Sequence, residues 1–445
     1  MMAFNKFKLI LKIVFICCLS LSNGKKEKLN KPLVVCIKKT NNTFKLNINN
    51  KEFFVKGAGG NSNYKKLKSI GGNSIRTWSA TGVKKILDSA LANGLTVTLG
   101  IEMALERQGF NYSDKKKVKE QFERIKKEIY MFKDHPALLM WGIGNELELS
   151  SNNPDIWNAV EEIANFIHKA DHNHPTTTML AGVPKNHITE IIKRCPSLDI
   201  LSINAFKDIP YINEKLLKAG WTGPYMITEW GPDGYWESEK TFWGAFIEAT
   251  STKKAELYRE RYQNYIKNTE RCLGSYVFYW GYKQERTHTV FSMFLENNSE
   301  TESVYAMEQM WQGISRKNTA PKIKPIQVDK KNNVLNLILE PSTYHHLSAS
   351  AVDPDGDKIK YTWEIYFESK EQKAGGDKEI KPPQLNCCFS QKNTSQTEFV
   401  TPTIEGPYRI FVYAYDNHGN VATANWPLLV KNQKNTFENK PVQNK

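Results

Sequence analysis

ALLMWGIGNE, residues 137–146, is an apolar run of eight residues that ends abruptly in an amide and a carboxylate. The run shows no polar alternation, so it reads as a strand buried on both faces, as in a parallel sheet sheathed by helices. It is too short for a buried helix. Placing Glu146 at the end of such a strand is costly unless the charge is paired, hydrogen-bonded or put to use. The stretch therefore bears on fold and function together.

Seven further runs of the same kind surround it: FFVKGAG (53–59), NSIRTW (73–78), GLTVTLGI (94–101), TTTMLAGV (176–183), LDILSINAF (198–206), PYMITEW (224–230) and SYVFYWG (275–281). Stretches of helical period separate them. Val83, Ile86, Leu87, Ala90 and Leu91 fall on one helical face, with Gly94 where that helix stops. The next candidate opens on Ser113 as its cap and ends at Pro136. A third opens on Asn153-Pro154, a cap followed by a residue preset for the first turn, and presents Ile156, Val160, Ile163, Ala164 and Ile167 on one face. Eight alternating β and α units over about 260 residues are the arithmetic of a (β/α)8 barrel. The expected fold class is α/β, a TIM barrel over residues 51–316. An open doubly wound sheet is the alternative, and the absence of a GxGxxG after any early strand counts against its nucleotide-binding form.

The flanks read differently. Residues 1–22 carry Lys6, Lys8 and Lys12, an apolar run to Leu21 and the small-x-small pattern Ser20-Leu21-Ser22. This is the pattern of a secretory signal peptide, too short for a transmembrane span. It implies a secreted, periplasmic or cell-surface protein, with a lipid anchor through Cys17 or Cys18 as the variant reading. Residues 23–50 read as short strands with Asn-rich turns leading into the barrel. From 317 to 431 the strands alternate at sandwich spacing (HHLSASAVD, IKYTWEIYF, PYRIFVYAYD, VATANWPLLV), the pattern of an all-β immunoglobulin-like domain. Residues 432–445 read as a disordered tail. Apart from Cys17 and Cys18, the cysteines are Cys36, Cys195, Cys272 and the adjacent pair Cys387 and Cys388. Adjacent cysteines pair poorly and no CxxC points to a metal, so one bridge at most is expected.

Lys and Arg outnumber Asp and Glu 61 to 47, a formal charge of +14. The lysines are scattered over polar helix faces and turns without interleaved aromatics, which argues against nucleic acid as a partner. No GxSxG is present, and the histidines show no metal-ligand spacing beyond HNH (172–174) and HH (345–346), both loop-like. Neither a catalytic metal nor a cofactor is expected.

In a (β/α)8 barrel the active site lies at the C-terminal ends of the strands. Those ends carry Arg76 and Trp78 (second strand), Glu102 (third), Asn145 and Glu146 (fourth), Asn204 (sixth), Glu229 and Trp230 (seventh) and Trp280 (eighth). Two carboxylates flanking a cavity, with an arginine beside one and aromatic platforms around, suit glycoside hydrolysis. Glu146 would be the general acid/base, its pKa raised by apolar walls and by the second carboxylate. Glu229 would be the nucleophile, held ionised by Arg76. Asn145 would hydrogen-bond the sugar 2-hydroxyl and Trp280 would stack on the sugar face. Tyr235, Trp236 and Glu237 follow Glu229 in a loop expected to line the cleft. Lys283, Gln284, Glu285 and His288 form an unusually polar connection after the last strand, split between substrate contact and a solvated loop. Glu102 is split between substrate contact and a salt bridge with Arg107.

At these residues the chain resembles a known family. GGNSIRTW, WGIGNE and ITEWG are similar to the barrel domain of glycoside hydrolase family 2 and its clan, retaining β-glycosidases with the acid/base after strand four and the nucleophile ending strand seven. The resemblance covers roughly residues 43 to 315. It implies the same roles for Glu146 and Glu229, and matches Asn145, Arg76 and Trp280 to the family's asparagine, strand-two arginine and strand-eight tryptophan. Relatives often carry His near the end of strand three, where this chain has GIEM (100–103). The large N-terminal sandwich domains of typical members have no counterpart in the chain, which points to a polymer-active enzyme with an open groove. SASAVDPDGDKIKYTWEI and EGPYRIFVYAYDNHGNVATANW resemble PKD-like immunoglobulin-type domains; Asp353, Asp355 and Asp357 there read as an Asp-rich turn in preference to a Ca²⁺ site.

The expected function is a retaining β-glycoside hydrolase (EC 3.2.1.-) acting on a β-linked poly- or oligosaccharide, β-glucan by slight preference. A transglycosylase using the same residues and a non-catalytic carbohydrate-binding surface protein are the rivals.

Overall fold

A computed structural model describes residues 31–432 apart from Asn268, Asn333, Gln372 and Ala374. Residues 1–30, which include the expected signal peptide with Cys17 and Cys18, and residues 433–445 of the expected tail lie outside the described residues. No helix among the described residues is long and apolar enough to cross a membrane.

The apolar runs form a closed parallel barrel, β1 (Val55–Gly59), β2 (Ser74–Arg76), β3 (Thr96–Ile101), β4 (Leu138–Asn145), β5 (Thr176–Ala181), β6 (Ile200–Asn204), β7 (Tyr225–Trp230) and β8 (Cys272–Val277). It closes in register where Gly274 of β8 pairs with Val55 of β1. Helices α1 (Tyr64–Ser69), α2 (Val83–Ala92), α3 (Lys115–Phe132), α4 (Asp155–Ala170), α5 (Lys185–Arg194), α6 (Ile212–Lys218), α7 (Ser251–Arg261) and α8 (Glu302–Gln312) follow the strands in turn. α4 shows why. Ile156, Val160, Ile163, Ala164 and Ile167 are all buried, and α4 lies against β4 and β5. Each large member of that stripe contributes about 1.5–3 kcal/mol. α3 departs from expectation in its cap: the Asp114 carboxylate, not Ser113, accepts the Lys116 and Lys117 amides. A carboxylate there also meets the positive end of the helix dipole.

The antiparallel strands Val35–Thr40 and Thr43–Ile48 close the N-terminal end of the barrel. Their Val35 and Leu46 pack on Leu139, Met140, Ile200, Met226 and Leu273. The cavity lined by Glu146 and Glu229 lies at the opposite end.

The C-terminal unit stacks a four-stranded sheet on a six-stranded one. The six-stranded sheet contains β9 (Lys360–Phe367), β10 (Gly406–Tyr415) and β11 (Asn420–Val430). Both its faces are covered. Trp363, Ile410 and Val412 point into the sandwich core, while Phe411 and Tyr413 point toward the barrel and pack with Leu295. Glu300 and Thr301, just before α8, pair in parallel with Asn420 and Val421, so one sheet runs across the junction. Between residues 334 and 340 the chain forms only the short strand Ile338–Leu339. Among the described residues one disulfide is present, joining Cys387 to Cys388, the adjacent pair expected to pair poorly. Cys388 has a φ of +89°, in the left-handed region. In the Asp-rich turn, Asp353 Oδ1 accepts the amides of Asp355 and Asp357, and Asp355 anchors Thr319 of the connection from the barrel. Asp416 comes in from a separate turn, and one carboxylate oxygen from each of Asp353, Asp357 and Asp416 lies within 4.8 Å of the others.

Candidate active site at the barrel mouth

β2 delivers Arg76 to the barrel mouth, 1% exposed. Its Nη1 donates to Glu229 Oε1 at 2.8 Å, to the Thr228 carbonyl at 2.8 Å and to Asn204 Oδ1 at 3.3 Å. Its Nη2 donates to Asn145 Oδ1. One rigid guanidinium thus ties together the ends of β4, β6 and β7, a task its planar fork of donors suits better than an ammonium would. Trp78 Nε1 also donates to Glu229 Oε1, at 2.8 Å, and the guanidinium lies 5.0 Å from the Trp78 ring centre. Glu229 meets a full charge and a second donor.

Glu146 is treated differently. The chain leaves β4 through Gly144 and Glu146, both with positive φ (+71° and +50°). A Cβ at Gly144 would also sit 2.5 Å from Leu147. This turn places the Glu146 carboxylate beside Asn204, whose Nδ2 donates to Glu146 Oε1 at 2.8 Å. Asn204 cannot flip, because its Oδ1 accepts from Thr228 Oγ1 at 2.9 Å and from Arg76. Among the described residues, the donor to the Glu146 carboxylate is thus a neutral amide. Desolvation, and then the charge of Glu229, push the Glu146 pKa up to about 8. The two carboxylates are joined by one relay, Glu146–Asn204–Arg76–Glu229.

The pair faces a cavity of about 680 Å³, within the usual range of small-molecule sites. Phe206, Trp236, Phe278 and Phe291 make its aromatic side. Phe206 lies 5.3 Å from Trp236 and 5.2 Å from Phe291, centre to centre. A second cavity, about 570 Å³, lies between the loop after β7 and the sandwich, and its buried ion pair Lys254–Glu248 is internally satisfied.

The structure brings Arg76, Trp78, Asn145, Glu146, Asn204 and Glu229 into one hydrogen-bonded group, and Tyr235, Trp236 and Glu237 line the cavity beside it. Lys283 sits at the rim, 2.9 Å from Glu285 Oε2 and 2.9 Å from the Gly376 carbonyl, while Glu285 lines the cavity. Four expectations are corrected. Trp280 is fully buried against Phe294, because β8 ends at Val277 and two residues, Phe278 and Tyr279, intervene; Phe278 takes the place at the mouth. Trp230 is fully buried between the barrel and α7, against Tyr258 and Tyr262, because strand alternation turns it away from Glu229. Glu102 is exposed outside the cavity lining, and Arg107 pairs with Asp377 instead. His288 lies in the domain junction, 2.6 Å from the Tyr413 hydroxyl. Sequence reasoning missed Phe206, Phe278 and Phe291, which read as core, and Glu148. Glu148 is buried two residues after Glu146 and accepts the Ala181 amide, and burial pushes its pKa up to about 7. It also missed Gly375 and Gly376, which reach the cavity from the other domain.

Residues 85–238 match the family model for the glycosyl hydrolases family 2 TIM barrel domain. No curated protein matches the chain. Solved structures that resemble it include a β-D-glucuronidase from Dictyoglomus thermophilum (18% identity, TM-score 0.48, covering 63% of this chain and 54% of that one). A Ruminococcus gnavus β-glucuronidase in complex with uronic isofagomine gives 15%, 0.49, 63% and 54%. A Bifidobacterium dentium β-glucuronidase complexed with coumarin-3-O-glucuronide gives 16%, 0.47, 63% and 50%. The chain spans about half the length of these structures. The matched residues 85–238 contain both Glu146 and Glu229, so this part of the closed parallel barrel is similar to the glycosyl hydrolases family 2 TIM barrel domain.

Proposed function

We propose that the protein is a retaining β-glycoside hydrolase acting on a β-linked glycan, with β-glucan the preferred candidate. One observation carries the reading: two carboxylates in opposite environments face one aromatic-lined cavity. Glu229, held by Arg76 and Trp78, is the nucleophile. Both donors bind Oε1, which leaves Oε2 to attack the anomeric carbon as the bond to the leaving oxygen breaks. Glu146, protonated below about pH 8, gives its proton to that oxygen. It then takes a proton from the water that hydrolyses the glycosyl–Glu229 ester. Asn145 and Asn204 are placed to hold sugar hydroxyls, and Tyr235 and Trp236 to meet the apolar ring face. No step needs a cofactor.

The test is reducing-sugar release by the purified protein on β-glucans, mannans, galactans and a β-glucuronide, with Glu229→Gln as control and the anomer of the first product read by NMR. Release on one of them with retained configuration, abolished in the variant, is the expected result. Inverted product overturns the mechanism. Lengthened oligosaccharides in place of free sugar would identify a transglycosylase, and binding without bond cleavage would identify a carbohydrate-binding barrel.

A further inference from the structure

Gly375 and Gly376 belong to the connection between β9 and the short strand Gln384–Leu385 of the sandwich, yet they line the barrel cavity. Their seat is built on both sides. On one side, Arg107 Nη2 and Gln108 Nε2, in the loop after β3, reach Asp377 at 3.3 Å. On the other, in the loop after β8, Lys283 Nζ donates to the Gly376 carbonyl at 2.9 Å, and Arg286 pairs with the buried Glu379. The backbone approach is close. A Cβ at Gly375 would fall 2.5 Å from Arg107 Nη2, and both glycines have positive φ (+63° and +71°), a conformation glycine takes at no steric cost.

In the barrel β8, β1, β2 and β3 are consecutive neighbours. A segment tied to the loops after β8 and after β3 therefore crosses the mouth above the ends of β1 and β2, the side occupied by Trp78. The cavity reaches outward instead past Leu149, Gly182 and Asp208, beyond β4, β5 and β6. The domain that supplies this wall cannot swing aside readily. Arg409 of β10, 1% exposed, donates to the Phe246 carbonyl of the barrel at 2.8 Å, and its sheet incorporates Glu300 and Thr301.

We propose that residues 375–379 of the C-terminal domain are the specificity-determining wall of this site: they stop the glycan at the Trp78 side of the cavity, so that the enzyme attacks chain ends and not internal linkages. The inference rests on the glycosidase reading and reverses the open groove expected from the sequence. Asp377 acts as a positioning residue, holding Gly375 and Gly376 through Arg107 and Gln108.

The experiment follows the wild-type protein on whichever linear β-glycan of the panel it cleaves, reading viscosity and product size together. Chain-end action releases mono- or disaccharide while viscosity barely falls. An early collapse of viscosity with mixed long products overturns the wall while leaving the glycosidase reading intact. Failure to cleave any substrate overturns the glycosidase reading itself. A variant with residues 375–378 deleted is then compared on the polymer and on a p-nitrophenyl glycoside. We expect internal cleavage of the polymer to appear, read as longer products and an early fall in viscosity, with the small substrate reporting whether the variant is still active. A folded deletion variant with unchanged product sizes overturns the proposal. Asp377→Ala, which removes only a rim carboxylate, gives the same reading on product size if the deletion lowers the melting temperature, and Asp377→Asn, which keeps an acceptor for Arg107 and Gln108, is expected to restore the wild-type pattern.

Discussion

Two clusters of buried charge lie on the same barrel and differ in their arithmetic. At the domain junction, Lys254 and Arg409 face Glu248 and Glu368. Glu248 accepts from Lys254, Thr287 and Thr289, and Arg409 also donates to Asn425 and to the Phe246 carbonyl. Burial works against the Glu248 charge, but Lys254 and the hydroxyl donors outweigh it and its pKa is lowered. At the barrel mouth Arg76 pairs directly with Glu229 and reaches Glu146 only through Asn204. Arg76 and Trp78 hold Glu229, Glu146 is held by the Asn204 amide, and the pKa of Glu146 rises. A balanced buried cluster is structural cement; an unbalanced one that opens on a cavity stores a proton at a defined atom.

The contrast breaks most visibly at Glu229. Glu229→Gln removes the attacking oxygen and should lower kcat by on the order of 10⁴-fold or more, as loss of a covalent nucleophile does elsewhere, with the melting curve little changed. Glu146→Gln keeps the shape and the Asn204 contact but has no proton to give. Its loss should be about 10²–10⁴-fold on natural substrates and much smaller on a p-nitrophenyl glycoside, whose leaving group needs little protonation. Steady-state kinetics on both substrate types checks this. Equal losses on the two would remove Glu146 from the acid role. In the wild type, kcat/KM should fall as pH rises through about 8, where Glu146 loses its proton.

How much of this was legible beforehand follows from the same physics. The barrel was legible because its strands are short, largely apolar runs buried along almost their whole length, and α2 and α4 carry their stripes at helical spacing. Glu146 and Glu229 were legible because a carboxylate closing an apolar strand needs a reason. Trp230 and Trp280 misled because side-chain direction, not proximity in sequence, decides which face a residue serves. One alternation step turns Trp230 onto α7, and the end of β8 at Val277 carries Trp280 into the core. The 375–379 segment was illegible, since nothing local in GGDKE shows that it folds back more than 260 residues onto Arg107.

The balanced cluster is sharpened by unbalancing it. Arg409→Ala leaves Glu368 buried at the junction without its fork, and removing one member of a buried pair typically costs about 3–5 kcal/mol. Thermal unfolding should show that loss, while kcat on a p-nitrophenyl glycoside at low temperature stays near wild type, since Arg409 contacts neither carboxylate of the mouth. A kcat loss as large as that of Glu146→Gln, with no loss of stability, would mean that the junction is part of the chemistry.

The smallest effect is the most specific. A carboxyl whose pKa is higher folded than unfolded binds more protons in the folded state, so its contribution to stability falls as pH rises between the two values. For Glu146 that window runs from the ordinary carboxylate range, near 4.5, to about 8. Below it the wild type and Glu146→Gln carry the same neutral group and should melt together. Above it the wild type must hold a second anion beside Glu229, and the variant does not. Glu148, with its pKa near 7, adds a similar slope to both proteins and largely cancels in the difference. Glu146 borders an open cavity, and water there limits the penalty. The variant should therefore gain only about 2–5 °C over wild type by pH 9, and nothing at pH 4.5. Melting curves at the two pH values decide it. A gap that is constant with pH would mean that Glu146 is ionised throughout, and the mouth would then be as balanced as the junction.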